Sequence, residues 1–281
     1  MASRTKQKEE ARARRLAEER ARAERAQRAQ RLRMLAGVVI AAIIVVAVVV
    51  VISSSGSNTA SAPKLTNQAG KADTAAVSKL LGGIPQAGQT LGSPSAPVTI
   101  TEYADLECPV CDSFALPASR NTSDGTPGTG YLDQLINQYV RPGKVKLVFR
   151  SLETATGNGP NASMWTPQQS AAYAAGLQGK AWYYVELFYY QQQSETSSYV
   201  NQSFLQRIAQ EIPGLNFAKW NSDRQSQTLA AQVATDGQTA TNRGFTSTPT
   251  IVVQGPKGQA APIQSLPSSY GQLTSEIKSV S

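Results

Sequence analysis

The longest uninterrupted apolar stretch of the chain covers residues 34–52. Its nineteen residues carry no charge, and about twenty apolar residues allow a helix to span the hydrocarbon core of a bilayer. The many β-branched residues do not argue against a helix, because lipid forces backbone groups to bond within the segment. A cleaved signal peptide is the alternative, but its apolar region is normally about 7–15 residues long. The pattern therefore predicts one uncleaved transmembrane helix.

The segment before this stretch is highly charged. Residues 1–33 hold twelve Lys/Arg and five Glu, a net charge of +7, whereas the remaining chain has a net charge of +1. The positive-inside rule then places the N-terminus in the cytoplasm and everything after residue 52 outside it. A site for anionic lipid or nucleic acid is the alternative, but the adjacent apolar stretch favours the topological role. The basic charge is no evidence that the main domain binds nucleic acid.

A stretch rich in Ser, Gly, Ala and Asn follows the apolar segment. Residues 53–84 contain one modest helical pattern, at residues 75–81. This composition is typical of a flexible linker. We predict that the linker holds a domain of residues 85–281 away from the membrane.

Alternating and helical patterns divide that domain into elements. Alternation predicts strands at residues 98–103, 144–152 and 250–253, with a weaker strand after a turn at 254–258. Helical patterns are found at residues 112–116, 131–140, 167–177, 182–192, 204–212, 217–220, 222–242 and 270–280. The resulting order is β-α-β, then a helical block, then β-β-α, which is an α/β fold.

The two cysteines of the chain, Cys108 and Cys111, lie between the first strand and the first helix. A Cys-x-x-Cys at a strand-to-helix turn is typical of thiol redox proteins. Pro109 suits the first helical position, because it has no N–H to leave unpaired there. Cys108 then lies at the helix N-terminus, which lowers the pKa of a thiol and makes it a nucleophile. Cys111, one turn later, can resolve a mixed disulfide.

A structural disulfide or half of a zinc site is the alternative reading of this motif. A zinc site needs about four ligands, and the chain has no histidine and no third cysteine. The absence of histidine also excludes His-based catalytic triads. A structural bridge over so short a loop would constrain the unfolded chain little. The redox reading is favoured, and we expect no metal and no cofactor.

Three sets of residues resemble the DsbA-like branch of the thioredoxin superfamily, over roughly residues 88–281. They are Ala96-Pro97-Val98-Thr99-Ile100 with Glu102-Tyr103, Asp105 and the Cys-x-x-Cys; Gly179-Lys180-Ala181-Trp182 with Glu186-Leu187-Phe188; and Gly244-Phe245-Thr246-Ser247-Thr248-Pro249-Thr250. The resemblance implies a thioredoxin-like fold with a helical insertion at about residues 160–243, preceded here by the single transmembrane helix.

The resemblance also implies roles for residues outside the cysteine motif. Pro249 is expected to follow a cis peptide bond, and Thr248 to offer backbone groups to an extended substrate; a plain strand start is the alternative. An acid at the position of Glu102 assists proton transfer with the resolving thiol. Alternation places Glu102 on the same face as Val98 and Ile100, although an exposed glutamate at the strand end fits equally.

Two residues at the motif argue against extreme oxidising power. Strong oxidants of the family often have histidine at the position of Val110, and valine cannot donate a hydrogen bond from its side chain. Glu107 would oppose thiolate formation at Cys108 if its carboxylate lay close.

These observations predict a membrane-tethered, extracytoplasmic thiol–disulfide oxidoreductase. Its expected substrates are cysteine-containing secreted or membrane proteins, which it oxidises, and a membrane redox partner recycles it. A reductase or isomerase on the same fold, for example in cytochrome maturation, is the second hypothesis. An anchored peptide-binding domain without turnover is the third.

Overall fold

A computed structural model describes residues 68–281 of the chain. The predicted basic segment, the predicted transmembrane helix and the first part of the predicted linker lie outside the described residues. Within residues 68–281, no helix is both long enough and apolar enough to cross a bilayer.

The described chain alternates short strands with helices. The strands are β1 (Gln86–Ala87), β2 (Thr90–Leu91), β3 (Val98–Ala104), β4 (Val145–Ser151), β5 (Thr250–Gly255) and β6 (Gly258–Gln259). The α-helices are α1 (Gln68–Leu81), α2 (Pro109–Ala115), α3 (Tyr131–Leu135), α4 (Ala155–Asn158), α5 (Trp165–Gly176), α6 (Ala181–Tyr190), α7 (Gln202–Glu211), α8 (Phe217–Asp223), α9 (Gln227–Asn242) and α10 (Tyr270–Val280). A π-helical turn (Ile136–Val140) continues α3, and a 3₁₀ turn (Ala162–Met164) precedes α5.

One six-stranded sheet organises these elements, in the order β1-β2-β4-β3-β5-β6. β3 and β4 run parallel with Val98 opposite Val145, and β5 runs antiparallel to β3 with Val253 opposite Ile100. A parallel pair needs a long crossover connection, which α2 and α3 supply. The predicted order of strands and helices, and with it the thioredoxin-like α/β fold, is confirmed.

Buried aromatic residues pack the helices of the block between β4 and β5 against one another. Trp182 and Trp220 are fully buried, and the Trp220 indole N–H donates to the Ala171 carbonyl at 2.8 Å. Tyr184 stacks on Trp220 with 5.9 Å between ring centroids. Buried Tyr and Trp need a partner for their polar atom, and these contacts hold α5, α6 and α8 together as the insertion.

The domain begins earlier than the linker prediction places it. Residues 68–81, assigned to the linker apart from a short helical patch, form α1, and Val77 and Leu81 are buried in the core. The Arg141 guanidinium donates to the carbonyls of Leu80 and Gly82, at 2.6 and 2.9 Å, and so satisfies the helix end. The few large apolar residues of α1 are diluted by Gly, Ala, Ser and Thr, which hid the helix in the sequence pattern.

The two faces of β3 serve different parts of the protein. Ile100 and Ala104 belong to the main core, which also contains both cysteines and most of the insertion. Tyr103 points to the opposite face and packs in a separate cluster with Phe245. Because successive side chains alternate across a sheet, Glu102 lies on the face of Ile100 and Ala104, toward the cysteines.

Candidate active site

Cys108 occupies the N-cap position of α2, with Pro109 at the first helical position. The Cys108 carbonyl accepts hydrogen bonds from the N–H groups of Cys111 and Asp112, at 3.1 and 3.2 Å. The Cys108 N–H donates to the Asp105 carbonyl at 3.1 Å. The local sequence thus builds the turn as predicted, with fixed φ at Pro109 starting the helix. Both cysteines are free thiols.

The two thiols have opposite acidities. A hydrogen bond from the Cys111 thiol is the largest influence that lowers the pKa of Cys108, and the Thr248 side chain and the N–H groups of Cys111 and Val110 add to it against the effect of burial. Burial raises the pKa of Cys111 well above its ordinary value, and the charges on Cys108 and Glu102 raise it further. Cys108 is therefore the thiol that ionises first.

The segment before β5 completes the site from the other side. The peptide bond between Thr248 and Pro249 is cis, as predicted. The Cys108 thiol donates to the Thr248 carbonyl at 3.4 Å. The Thr248 hydroxyl is hydrogen-bonded to the Thr154 hydroxyl at 2.5 Å. Thr248 thus contacts both the cysteine turn and the segment that follows β4.

Asp105 joins two of these segments, the cysteine turn and the segment after β4. Its buried carboxylate accepts hydrogen bonds from the N–H groups of Thr154 and Thr156, each at 2.9 Å, and of Glu107 at 3.0 Å. Burial raises the pKa of Asp105 and these hydrogen bonds oppose it. Sequence reasoning did not identify Thr154 or Thr156 as site residues. Only the tertiary structure brings them beside Asp105, about fifty positions earlier in the chain.

Glu102 is buried, with 4% of its surface exposed. Among the described residues its Oε1 atom has no hydrogen-bond partner. Burial, with a smaller contribution from the charge on Cys108, raises the pKa of Glu102 to about 8. Of the two readings of this residue, the structure selects the buried acid, which carries a proton at neutral pH.

Glu107 and Val110 lie on either side of Cys108 in the sequence, and their side chains have different surroundings. The buried Glu107 carboxylate accepts hydrogen bonds from the side-chain amides of Asn161 and Gln168, at 2.6 and 3.1 Å. These partners hold the carboxylate toward the insertion. The Val110 side chain is 39% exposed. Val110 affects Cys108 through its backbone N–H, which helps to lower the pKa of the thiol.

A groove of about 590 Å³ opens over Cys108. It lies between the cysteine turn, the segment after β4, the loop after α6 and the loop before β5. Its lining residues are Cys108, Pro109, Val110, Thr154, Ala155, Asn158, Gly159, Pro160, Glu195, Thr196, Thr246, Ser247 and Thr248. The Cys108 thiol thus faces a groove lined mainly by hydroxyl and small apolar groups.

An ionisable, groove-facing thiol paired with a buried one defines the class of thiol–disulfide exchange proteins. The family model described as thioredoxin matches residues 86–266 of the chain. The chain belongs to this family.

Individual relatives agree with this assignment. A probable disulfide bond formation protein D of Bacillus anthracis is 23% identical over 168 residues, which cover 59% of this chain and 70% of the relative. Among solved structures, oxidised BdbD from Bacillus subtilis superposes with a TM-score of 0.55 and 18% identity over 70% of this chain and 96% of that one. Chlamydia trachomatis DsbA gives a TM-score of 0.51 and 18% identity, over 68% and 90% of the two chains. At these identities the structural likeness shows the shared fold.

Proposed function

We propose that this protein is a membrane-tethered thiol–disulfide oxidoreductase that oxidises cysteines of other proteins outside the cytoplasm. The observation that carries the proposal is the division of the thiol pair. The pKa of the groove-facing Cys108 is lowered and that of the fully buried Cys111 is raised. The Cys108 sulfur is thus suited to exchange with a substrate, and the Cys111 sulfur to resolving the mixed disulfide.

The proposed reaction starts from the oxidised Cys108–Cys111 disulfide. A substrate thiolate attacks Sγ of Cys108, and the Cys108–Cys111 bond breaks with its electron pair on Cys111. Glu102, the buried acid on β3, supplies the proton that converts the Cys111 thiolate into a thiol. A second substrate thiolate then attacks the substrate sulfur of the mixed disulfide and releases Cys108 as a thiolate. The substrate is oxidised by two electrons and the enzyme is reduced.

The groove supports a protein substrate bound in an extended form. The loop of Thr248 and Pro249 borders the cysteine turn, and the Thr248 carbonyl lies at hydrogen-bond distance from the Cys108 thiol. Backbone groups there can pair with an added strand, as in β-augmentation. The enzyme then needs reoxidation, for which we propose a redox partner in the same membrane.

Oxidation is favoured over reduction by the acidity of Cys108. A reduced state stabilised as a thiolate makes the disulfide a stronger oxidant. The similarity to disulfide bond formation protein D agrees with this direction. Val110 supplies no side-chain hydrogen bond to the thiolate, so we place the potential between the thioredoxin value of about −270 mV and the DsbA value of about −120 mV.

The proposed location rests on the sequence before the domain. The apolar stretch at residues 34–52 follows a segment of net charge +7, and the positive-inside rule orients such a helix with its N-terminus inside. Protease added to intact cells is expected to digest the domain after residue 52 and to leave residues 1–33 intact. Protection of the domain would contradict this topology.

A turnover assay with a reduced dicysteine peptide tests the activity. The full chain with glutathione disulfide as the terminal oxidant is expected to form the peptide disulfide catalytically. Cys108→Ser is expected to abolish it, and Cys111→Ser to accumulate the mixed disulfide. An equilibrium potential near the thioredoxin value would favour the reductase alternative, and binding without any thiol exchange would favour the binding domain.

A further inference from the structure

The groove over Cys108 contains a glutamate that the proposed mechanism does not use. Within residues 68–281, Glu195 is the single groove-lining residue with a carboxylate, and no Lys or Arg lines the groove. Glu195 is half-buried and lies in the loop between α6 and α7. It therefore supplies the charge in a groove that otherwise offers hydroxyl, amide and small apolar groups.

The Glu195 carboxylate forms no ion pair with any residue of the described chain. The ion pairs of residues 68–281 are Arg120–Asp73, Arg150–Asp236 and Lys219–Asp223. Asp105 and Glu107, buried behind the cysteine turn, are acids as well. A cation that enters the groove thus meets a carboxylate that is not already paired with a base of this domain.

The loop that carries Glu195 is closed by hydrogen bonds around that residue. The Ser194 carbonyl accepts from the Ser197 N–H at 2.9 Å and from the Ser197 hydroxyl at 2.7 Å. The hydroxyls of Ser194 and Thr196 lie 2.8 Å apart. A carbonyl bonded to the N–H three residues later defines a turn with Glu195 and Thr196 at its centre. The backbone at Glu195 is therefore fixed by its neighbours.

One side-chain amide connects this turn to the cysteine motif. The Asn161 amide donates to the Ser197 carbonyl at 2.9 Å and to the Glu107 carboxylate at 2.6 Å. Glu107 directly precedes Cys108 in the chain. The turn of Glu195 is thus held at a defined place relative to the nucleophile.

The segment after β4 approaches the same turn at Gly159. A Cβ atom on Gly159 would lie 3.0 Å from the Glu195 carbonyl oxygen, which is closer than ordinary van der Waals contact. The two walls of the groove therefore meet beside Glu195, and a side chain at position 159 would push them apart.

We propose that Glu195 is a specificity-determining residue that selects substrate segments in which a lysine or arginine lies near the reactive cysteine. The cationic group of such a segment forms an ion pair with the Glu195 carboxylate when the substrate cysteine reaches Cys108. The same cation favours the substrate thiolate, which is the attacking species. This proposal rests on the proposed thiol–disulfide exchange and names the class of its substrates.

Peptides that differ at one position test the preference. A reduced dicysteine peptide receives Lys, Gln or Glu at each position within about three residues of one cysteine. The full chain oxidises each peptide, with glutathione disulfide as the terminal oxidant. Every kcat/KM value is divided by the rate of the uncatalysed reaction of the same peptide with glutathione disulfide. This division removes the effect of lysine on the acidity of the peptide thiol.

The wild type is expected to prefer lysine at the positions that reach Glu195. The normalised kcat/KM should be about threefold higher for the Lys peptide than for the Gln peptide, the size of one partly exposed ion pair. It should be lowest for the Glu peptide, because like charges repel. The difference is expected in KM more than in kcat, since the ion pair forms on binding.

Substitutions at two glutamates separate the groove from the overall charge of the domain. In Glu195→Gln the Lys/Gln ratio is expected to fall to about one, and in Glu195→Lys the order of the Lys and Glu peptides should reverse. Glu153→Gln is the matched control, because Glu153 is an exposed acid that directly precedes Thr154 and does not line the groove. This variant is expected to keep the wild-type ratio.

Salt gives a second test that needs no substitution. The wild-type Lys/Gln ratio is expected to fall toward one as the NaCl concentration rises to about 1 M, where the Debye length is about 3 Å. A preference that came from apolar contacts of the lysine stem would persist at that concentration and would contradict the proposal.

Three results with the peptides would overturn the proposal. They are a wild-type Lys/Gln ratio near one at low salt, a ratio that Glu195→Gln leaves unchanged, and a ratio that Glu153→Gln lowers equally. In each case, oxidation of the peptides by the wild type would leave the proposed function standing. A wild type that oxidises none of the peptides would instead defeat the proposed function itself.

Discussion

At the scale of single residues, the environment of each sulfur decides its role. Cys108 and Cys111 belong to the same turn, yet Cys108 lies at the start of α2 beside hydrogen-bond donors, whereas Cys111 lies in the core near the buried acid Glu102. Charge is stabilised where N–H and hydroxyl groups point at the sulfur, and opposed where water is excluded. The proposed nucleophile and the proposed resolving thiol thus differ in acidity although they lie in one turn.

Selective alkylation tests this division. At mildly acidic pH, iodoacetamide is expected to modify Cys108 of the reduced protein first, because only its thiol has a lowered pKa. The reaction rate should rise with pH around an inflection below the ordinary thiol value. Mass spectrometry after proteolysis identifies the labelled cysteine, and Cys111→Ser serves as the control. Faster labelling of Cys111 would reverse the assignment.

The residue at position 110 is expected to tune the redox potential. Val110→His places an imidazole beside Cys108, at a side chain that is 39% exposed and has room to change. A cationic imidazole favours the thiolate, so the substitution should lower the Cys108 pKa and raise the potential by about 30 mV or more. Equilibration with glutathione measures both variants. Val110→Leu is the control of similar shape, and an unchanged potential in Val110→His would exclude this position as a determinant.

At the scale of elements, the site depends on three chain segments that are linked through Asp105 and Thr154. The end of β3 supplies its carboxylate and carbonyl, the segment after β4 supplies Thr154 and Thr156, and the loop before β5 reaches Thr154 through Thr248. Together these hydrogen bonds fix the distance between the cysteine turn and the loop that borders the groove.

Thr154→Val is expected to loosen this connection. The substitution removes the hydroxyl that bonds to Thr248 and leaves the Thr248 hydroxyl without that partner. We expect a loss of about 1 kcal/mol in the free energy of unfolding and slower exchange with a peptide substrate. Urea unfolding and the turnover assay measure the two effects. Thr154→Ser retains the hydroxyl and should behave like wild type; a loss in Thr154→Ser without a loss in Thr154→Val would show that the methyl group matters instead.

At the scale of the whole molecule, the buried acids make stability depend on pH. The pKa of Glu102 is about 8 in the folded protein, against an ordinary value of 4.5. Between these values the folded state binds the proton more tightly than the unfolded chain does. The stabilising contribution of the protonated Glu102 is therefore fully present below about pH 4.5, and it is lost as pH rises through about pH 8.

Glu102→Gln is expected to remove part of this pH dependence. The amide cannot ionise, so the variant should match wild type more closely at low pH and gain relative stability as pH rises. The difference should be on the order of a few kcal/mol by about pH 9. Urea unfolding of both proteins at several pH values measures it, with Glu276→Gln as the control. A pH-independent difference would show that Glu102 is not the titrating group.

The order of the longer elements and the redox motif follow from the amino-acid sequence alone. Periodicity marked the longer strands and helices, and the Cys-x-x-Cys with Pro109 fixed its own turn, because these features depend on residues that are neighbours in the chain. Thr248 and Pro249 were found through a resemblance rather than through spacing. Short or diluted patterns were missed, namely the two-residue strands β1 and β2 and the first half of the helix α1.

The surroundings of the site follow from packing between segments that are distant in the chain. Whether Glu102 was exposed or buried could not be read from its place in an alternating strand, because the answer depends on helices packed over that face. The hydrogen-bond donors to Asp105 and Glu107 come from segments far apart in the sequence. The lack of a hydrogen-bond partner for the Glu186 carboxyl among residues 68–281 likewise depends on how the helices pack. Burial and hydrogen bonding set the acidity of buried groups, and both are properties of the packed molecule rather than of the local chain.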